Sequence, residues 1–412
     1  MGTYANIDIL KSKKTRVSTK LLIDVPLVVA VVMLLFLGML ALYSASWNYA
    51  YQQYDNGGYI VLRQVLWIAI GLVMATFVAF LDYHVLEHFA LAIILSTCLL
   101  LFIVLLIPSN IQGATRTIFK GSIQPSELAK LSILIFLSYW LSYKQEVLES
   151  LTLGLIPVLG MIFIIAFLIL IQPDLSAAIT VVALGMIMFV IAGGNKRHIF
   201  MMVVIGALAF AVGYFLFSKV STRINDYFGG LKDPGLASYH IQRSTEAILR
   251  GGWIGVGIGK GVVKLTGLPV AWTDSIFSVI LEETGVLGGT VFIVLYLVIL
   301  WRGYVISAQA PDVFGKLLAA GISIWIGLEA FMNIGVLVNV LPFAGNALPF
   351  VSSGGSSMIL SLTGIGILIS ISRISAIINL KNERTTPDAI VDLRGWDRGW
   401  RISSLGRNPR KR

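Results

Sequence analysis

At 412 residues, 57% of them hydrophobic and 13% charged, with a mean hydropathy of +0.86, the chain is too apolar for a soluble globular protein and reads as a polytopic membrane protein. Its formal net charge of +10 must sit in tails and loops, and its single cysteine, Cys98, excludes an intrachain disulfide.

The chain opens with a basic tail, residues 1–22, carrying Lys11, Lys13, Lys14, Arg16 and Lys20. About ten apolar segments follow, each close to the length a helix needs to cross a bilayer. They cover 23–43, 59–81, 89–107, 127–141, 153–171, 177–193, 199–217, 275–301, 314–340 and 357–378. The first is too long for a signal-peptide core and reads as an anchor. The expected fold is therefore all-α, one membrane domain over residues 23–380 with a polar tail at each end. Positive charge in the N-terminal tail, at Lys196 and Arg197, and in the C-terminal tail 381–412 places all three on the cytoplasmic side. The last tail, rich in Arg, Gly and Ser, has no core-forming pattern, so disorder is expected there, near anionic headgroups. Two outer loops are basic against that rule: one holding Arg116 and Lys120, and a long one, 218–274, holding Arg243, Arg250 and Lys264 among others. An anionic substrate would explain positive charge on that side.

Several motifs carry chemistry in principle. "HVLEH" at 84–88 has metalloprotease spacing but no third ligand in view. "GGWIGVGIGKG" at 251–261 fits no nucleotide-binding spacing and reads as a flexible or re-entrant segment. In "PFVSSGGSSMIL", Ser356 opens the last span, where a Gly–Ser helix start either caps the helix or holds an anion. Glu127 and Lys130 lie on one face of the fourth span, and Glu282 and Glu283 about two turns into the eighth. Ionisable groups there are structural pairs or the lining of a polar cavity. Asp174, after a proline, reads as an N-cap. Asp274, in "LPVAWTDSIFSVILEETG", is open between an N-cap and a catalytic base: it directly precedes a helix, yet closes the basic loop near the glycine-rich segment.

Five stretches together resemble the SEDS family, the group of FtsW, RodA and SpoVE. They are "LYSAS" at 42–46, "GATR" at 113–116 followed by "QPSELAKL", "QPDLSAA" at 172–178, the Asp274 stretch, and "NIGVLVNVLPFAGNALPFVSSGGSS" at 333–357. The resemblance implies a ten-helix fold and polymerisation of lipid II into β-1,4 glycan at the outer face of the cytoplasmic membrane. It implies a class B penicillin-binding protein as partner, alongside other division or elongation proteins and membrane lipids; nucleic acid is not expected. It also implies that the acid of the "TD" pair, Asp274, is the essential residue, and "LYSAS" leans toward an FtsW-like member. Val270, Trp272 and Ser275 stand where the family usually has Glu, His and Phe, and Arg243 where Gln is more usual.

Converting an α-linked donor to a β-linked product by direct inversion needs one base, the role expected of Asp274. Candidates for holding the departing diphosphate are Arg116, Lys120, Arg243, Arg250, Lys264 and Ser356. No D-x-D pair supports a dedicated metal site, although a divalent cation, Mg2+ or Mn2+, held mainly by the diphosphate and Asp274 stays open. A lipid flippase would instead rely on acids at mid-membrane, Glu127, Glu282 and Glu283, with Lys130. A non-enzymatic scaffold would tolerate loss of every outer-loop charge.

Overall fold

The computed structural model describes residues 23–106, 124–143 and 150–385; both tails' basic clusters, Arg116 and Lys120 lie outside the described residues. The described residues are all-helical. Seven helices, α1 Val25–Tyr54, α2 Tyr59–Phe80, α3 His84–Leu106, α4 Pro125–Tyr143, α5 Ile156–Ile171, α6 Leu175–Ile191 and α7 Lys196–Leu216, are followed by two short ones, α8 Ser218–Lys232 and α9 Tyr239–Gly251. Three long ones, α10 Ile276–Gln309, α11 Val313–Leu337 and α12 Gly355–Thr385, complete the chain. Eight helical segments are long and apolar enough to span a bilayer. α6 is a shorter apolar rod, and α4 carries Glu127 and Lys130 in its first two turns. These ten rods match the expected segments; α1 runs on through "WNYAYQQY" and α12 passes residue 380, while α6 and α11 end two and three residues early.

The expected outer loop 218–274 is itself folded. α8 and α9 are too polar to read as spans, but α9 is amphipathic and buries Ile241, Ser244, Ala247 and Gly251. The His240 ring on α9 packs tilted against Phe343 with centroids 4.5 Å apart, and its burial, with Arg223 nearby, holds its imidazole below the usual histidine range.

α4 and α11 form the centre. Every residue of α4 from Ala129 to Leu137 is buried, whereas α7 buries only His198 and Met202. Some polar groups in this core pair across helices: Thr97 and Ser132 hydroxyls meet at 2.7 Å, and Gln172 donates to the Leu101 carbonyl at 2.9 Å. At the end opposite the Asp274 turn, Asp24 caps α1 by accepting from the Leu27 amide and binds the Arg302 guanidinium of α10. His84, from the "HVLEH" motif, pairs there with Asp82 at 2.6 Å and Asp312 at 3.3 Å.

The predicted eighth span is one helix with a break. Gly285 takes φ 68°, ψ −173° inside α10. The break frees backbone groups, and the glycine-rich segment after α9 takes them: Val256 and Gly257 amides donate to the Glu282 and Glu283 carbonyls (both 3.0 Å), while Val286 and Leu287 amides donate to the Gly252 and Trp253 carbonyls (2.9 and 3.1 Å). Only glycine fits this approach, since a Cβ on Gly285 would lie 2.4 Å from the Trp253 carbonyl oxygen. Gly285→Ala should therefore cost about 1–3 kcal/mol through clash and positive φ. Gly206→Ala, on α7 where a methyl meets open space, should be neutral or stabilising. Thermal unfolding of the purified protein in detergent separates the two.

Candidate active site

Four turns at one end of the bundle converge on a cavity of about 220 Å³. They are the start of α4 (Gln124, Glu127, Lys130), the start of α6 (Asp174), the turn before α10 (Thr273, Asp274), and the α11–α12 connection (Gly345, Asn346, and Ser353 to Ser357). Five residues marked by the sequence, Glu127, Lys130, Asp174, Asp274 and Ser356, thus share one cavity, although they lie far apart in the chain.

Asp274 is not the cap of α10. The N-cap position belongs to Ser275, whose side chain makes no capping bond. Instead the Asp274 turn is held by its backbone. Three successive carbonyls accept from elements later in the chain: Trp272 from the Ser353 amide (2.9 Å), Thr273 from the Ser352 hydroxyl (2.7 Å) and Asp274 from the Asn333 side-chain amide (2.9 Å). Asn333 also donates to the Asn346 carbonyl at 2.6 Å, and Ser352 accepts from the Leu348 amide, so the same two side chains shape both walls. Gly345 passes so near that a Cβ there would lie 2.6 Å from Asp274 Oδ2. Trp272 stacks on Tyr49 of α1 with centroids 4.0 Å apart. Two bulky residues flanking these turns, Val270 (φ 46°) and Phe350 (φ 65°), occupy the left-handed region, strain of the kind that the surrounding contacts must hold in place.

Below Asp274, Lys130 donates to Glu127 at 2.7 Å and to Glu329 of α11. All three are buried, and Glu127 Oε2 has no hydrogen-bond partner. Asp174 does cap α6, accepting from the Ala177 amide, while its other oxygen accepts from Gln124 (2.6 Å) and Ser126 (2.9 Å). Ser356 Oγ accepts from the Gln124 amide at 3.1 Å, tying α12 to α4.

The cations expected to hold a diphosphate are placed otherwise. Arg243 pairs with Glu246 and the Thr266 carbonyl; Arg250 lies 3.7 Å from Glu246 and 3.9 Å from Glu282; Lys264 binds Glu283 at 2.5 Å and the Ser44 hydroxyl of α1 at 2.6 Å. None of the three lines the cavity. Carboxylates of α9 and α10 neighbour all three: Glu246 lies three and four residues from Arg243 and Arg250 on the same helix, a spacing readable along the chain, whereas Glu282 and Glu283 reach Arg250 and Lys264 only through packing. Glu282 and Glu283 are likewise structural here. Glu282, fully buried, accepts from the Val262 and Val263 amides at 2.8 and 3.1 Å. Among the described residues no group of three or more His, Cys, Asp or Glu side chains is arranged to hold a metal ion.

Sequence reasoning missed Asn333, Ser352, Gly345 and Glu329. The first three lie inside the long 333–357 stretch, where polar residues interrupting an apolar run were the available signal. Glu329, a lone acid in the ninth span, carried the ordinary signal of an intramembrane charge.

A family model described as cell cycle protein, FtsW/RodA/SpoVE, matches residues 25–377. The chain belongs to this family. Stage V sporulation protein E of Bacillus subtilis is 35% identical over 358 residues, covering 85% of this chain and 97% of that protein. The probable peptidoglycan glycosyltransferase FtsW of Geobacter metallireducens is 36% identical over 357 residues, covering 85% and 94%. Among solved structures, a chain from a peptidoglycan synthase complex coordinating polymerization and crosslinking superimposes with a TM-score of 0.70 at 27% identity, covering 86% of this chain and 98% of that one. The rod shape determining protein RodA of Thermus thermophilus gives 0.64 at 25% identity, covering 86% and 98%. The all-helical architecture described above is thus that of the FtsW/RodA/SpoVE family.

The buried triad gives a sharp stability test. Lys130→Met leaves two carboxylates unpaired and should cost about 3–5 kcal/mol, whereas adding Glu127→Gln and Glu329→Gln to it should recover most of the loss. Thermal unfolding of the three-site and one-site variants measures this.

Proposed function

We propose that this chain is a peptidoglycan glycosyltransferase that polymerises lipid II into β-1,4 glycan strands, in cell division or shape maintenance. The names of its relatives favour the FtsW-like, division role. The observation that carries the reading is the Asp274 carboxylate, lining a polar cavity in a turn whose three carbonyls are all held from outside. Positive-inside charge in the tails supports a cavity that opens at the outer face of the bacterial cytoplasmic membrane.

In this reading Asp274 takes the proton of the acceptor sugar's hydroxyl as its oxygen attacks the anomeric carbon of the donor. The bond from that carbon to the diphosphate breaks, and the leaving diphosphate keeps the electron pair. Attack from the opposite face inverts an α-linked donor to a β-linked product. Asn333 and Ser352 are positioning residues: they hold the Asp274 backbone and never touch the sugar. Arg243, Arg250 and Lys264 lie beside carboxylates and away from the cavity, so Arg116 and Lys120, in the segment that leads into Gln124, are the better candidates for steadying the diphosphate. Ser356 and the Gly354–Gly355 backbone at the start of α12 line the same space. The protein offers no preformed metal cluster among the described residues; a divalent cation at this site would depend on diphosphate oxygens for its ligands. A class B penicillin-binding protein would crosslink the strand as it emerges.

The test is polymerisation of labelled lipid II by the full chain with its transpeptidase partner. Wild type should give a glycan ladder, and Asp274→Asn should lower the rate by about 10²–10⁴-fold while melting like the parent. A ladder of unchanged intensity from Asp274→Asn would remove the base from the mechanism. Asn333→Ala and Ser352→Ala should reduce kcat with little change in KM, because both act through the placement of Asp274.

A further inference from the structure

Independently of the proposed activity, one surface of the molecule carries its own reading. The glycine-rich segment after α9 turns its large apolar side chains away from the protein: Trp253 is 73% exposed, Ile254 78% and Ile258 67%, with Leu249 at the end of α9 at 76%. Lys260, at its far end, is also exposed. In water this would be a costly patch.

Its level along the bundle explains it. From the ion-paired Arg302 up α10 to Gly285 is about 26 Å, and from Asp24 up α1 to Ser44 about 30 Å, at 1.5 Å per residue. Gly285 is where the segment docks, and Ser44 is bonded to Lys264 just beyond it. Both paths therefore put the segment about one hydrocarbon thickness, ~30 Å, from the Asp24–Arg302 pair. The aromatics of α1 mark the same level, since Tyr43 and Trp47 flank Ser44 and are half exposed, as residues of an interfacial belt are.

Much of the segment's backbone meets the second condition for this depth. Irregular chain is tolerated at a membrane only where its polar groups are paired. Here the break in α10 and the segment pair each other through four backbone hydrogen bonds, Gly255 donates to the Gly251 carbonyl at 2.8 Å, and the Glu282 carboxylate takes the amides of Val262 and Val263. The side chains that remain outward at 253, 254 and 258 are apolar.

We infer that residues 253–258 are seated in the bilayer boundary on the Asp274 side, with Trp253, Ile254 and Ile258 among the acyl chains and Lys260 at the headgroups. The occupant of this surface is lipid. Because the segment is locked to α10 at Gly285, it also sets the height of the Asp274 turn, up to about 15 Å further along the helix.

The test uses the full chain in vesicles of phosphatidylethanolamine and phosphatidylglycerol, in a Cys98→Ser background, with a nitroxide attached at Ile254→Cys or Ile258→Cys. Phe163→Cys, on the exposed face of α5, is the lipid reference, and Lys232→Cys the aqueous one. Collision with oxygen should exceed collision with a water-soluble nickel chelate at both loop positions, as at Phe163→Cys. Behaviour like Lys232→Cys would overturn the inference. So would labels that are wet in vesicles and become shielded only when a transpeptidase partner is added, which would make the segment a protein-docking surface. A label-free readout guards against misfolded variants: Trp253→Phe should reduce quenching of tryptophan emission by acyl-brominated lipid, and unchanged quenching would count against insertion.

Discussion

Lys130, shared between Glu127 and Glu329, is the interaction on which the cavity depends. A lone ammonium inside an apolar bundle is costly, and two carboxylates from different helices fix its position. That fixes α4 against α11. Glu329 and Asn333 are i, i+4 on α11, on one helix face. The helix that receives Lys130 therefore also presents the amide that holds the Asp274 carbonyl. One wall of the cavity and one of the three holds on the Asp274 turn thus share the helix that receives Lys130; Ser352 and Ser353 supply the other two holds, and Asp174, Gln124 and Ser356 tie in the starts of α4, α6 and α12.

The same requirement, that polar groups in an apolar surround be paired, shapes the region below the Asp274 turn. Glu282 and Glu283 gather the amides and the lysine of the segment after α9, and the broken ladder at Gly285 is repaired by that segment. Charges in this region are consequently spent on structure. The division is clear: one acidic cluster, around Lys130, opens into the cavity, while the other, around Lys264, closes a loop onto α1 and α10.

Much of this was legible in the sequence. The apolar segments gave the ten rods, because the bilayer's length requirement is strict, and Asp274, Glu127, Lys130, Asp174 and Ser356 stood out as polar residues at the ends of apolar runs. Two things were not legible. Helix length along α1 and α12 was underestimated, since polar turns such as "WNYAYQQY" continue a helix beyond its apolar part. The contacts of Lys264 with Glu283 and Ser44 and of Arg250 with Glu282 could not be read either, because pairing across α1, α9 and α10 depends on packing, whereas Glu246 stood at helical spacing from Arg243 and Arg250. Asn333 and Ser352 are ordinary polar residues whose importance lies only in which carbonyl they reach.

The central claim is that the cavity beside Asp274 receives the substrate. The most direct measurement is the rate at which a small maleimide reacts with Ser356→Cys, in the Cys98→Ser background, with and without lipid II under conditions where the protein is shown to polymerise it. The account predicts that lipid II slows this reaction several-fold and leaves a reference cysteine at Lys232 unaffected. An unchanged rate at Ser356→Cys during active polymerisation would contradict it and move the chemistry elsewhere on the molecule.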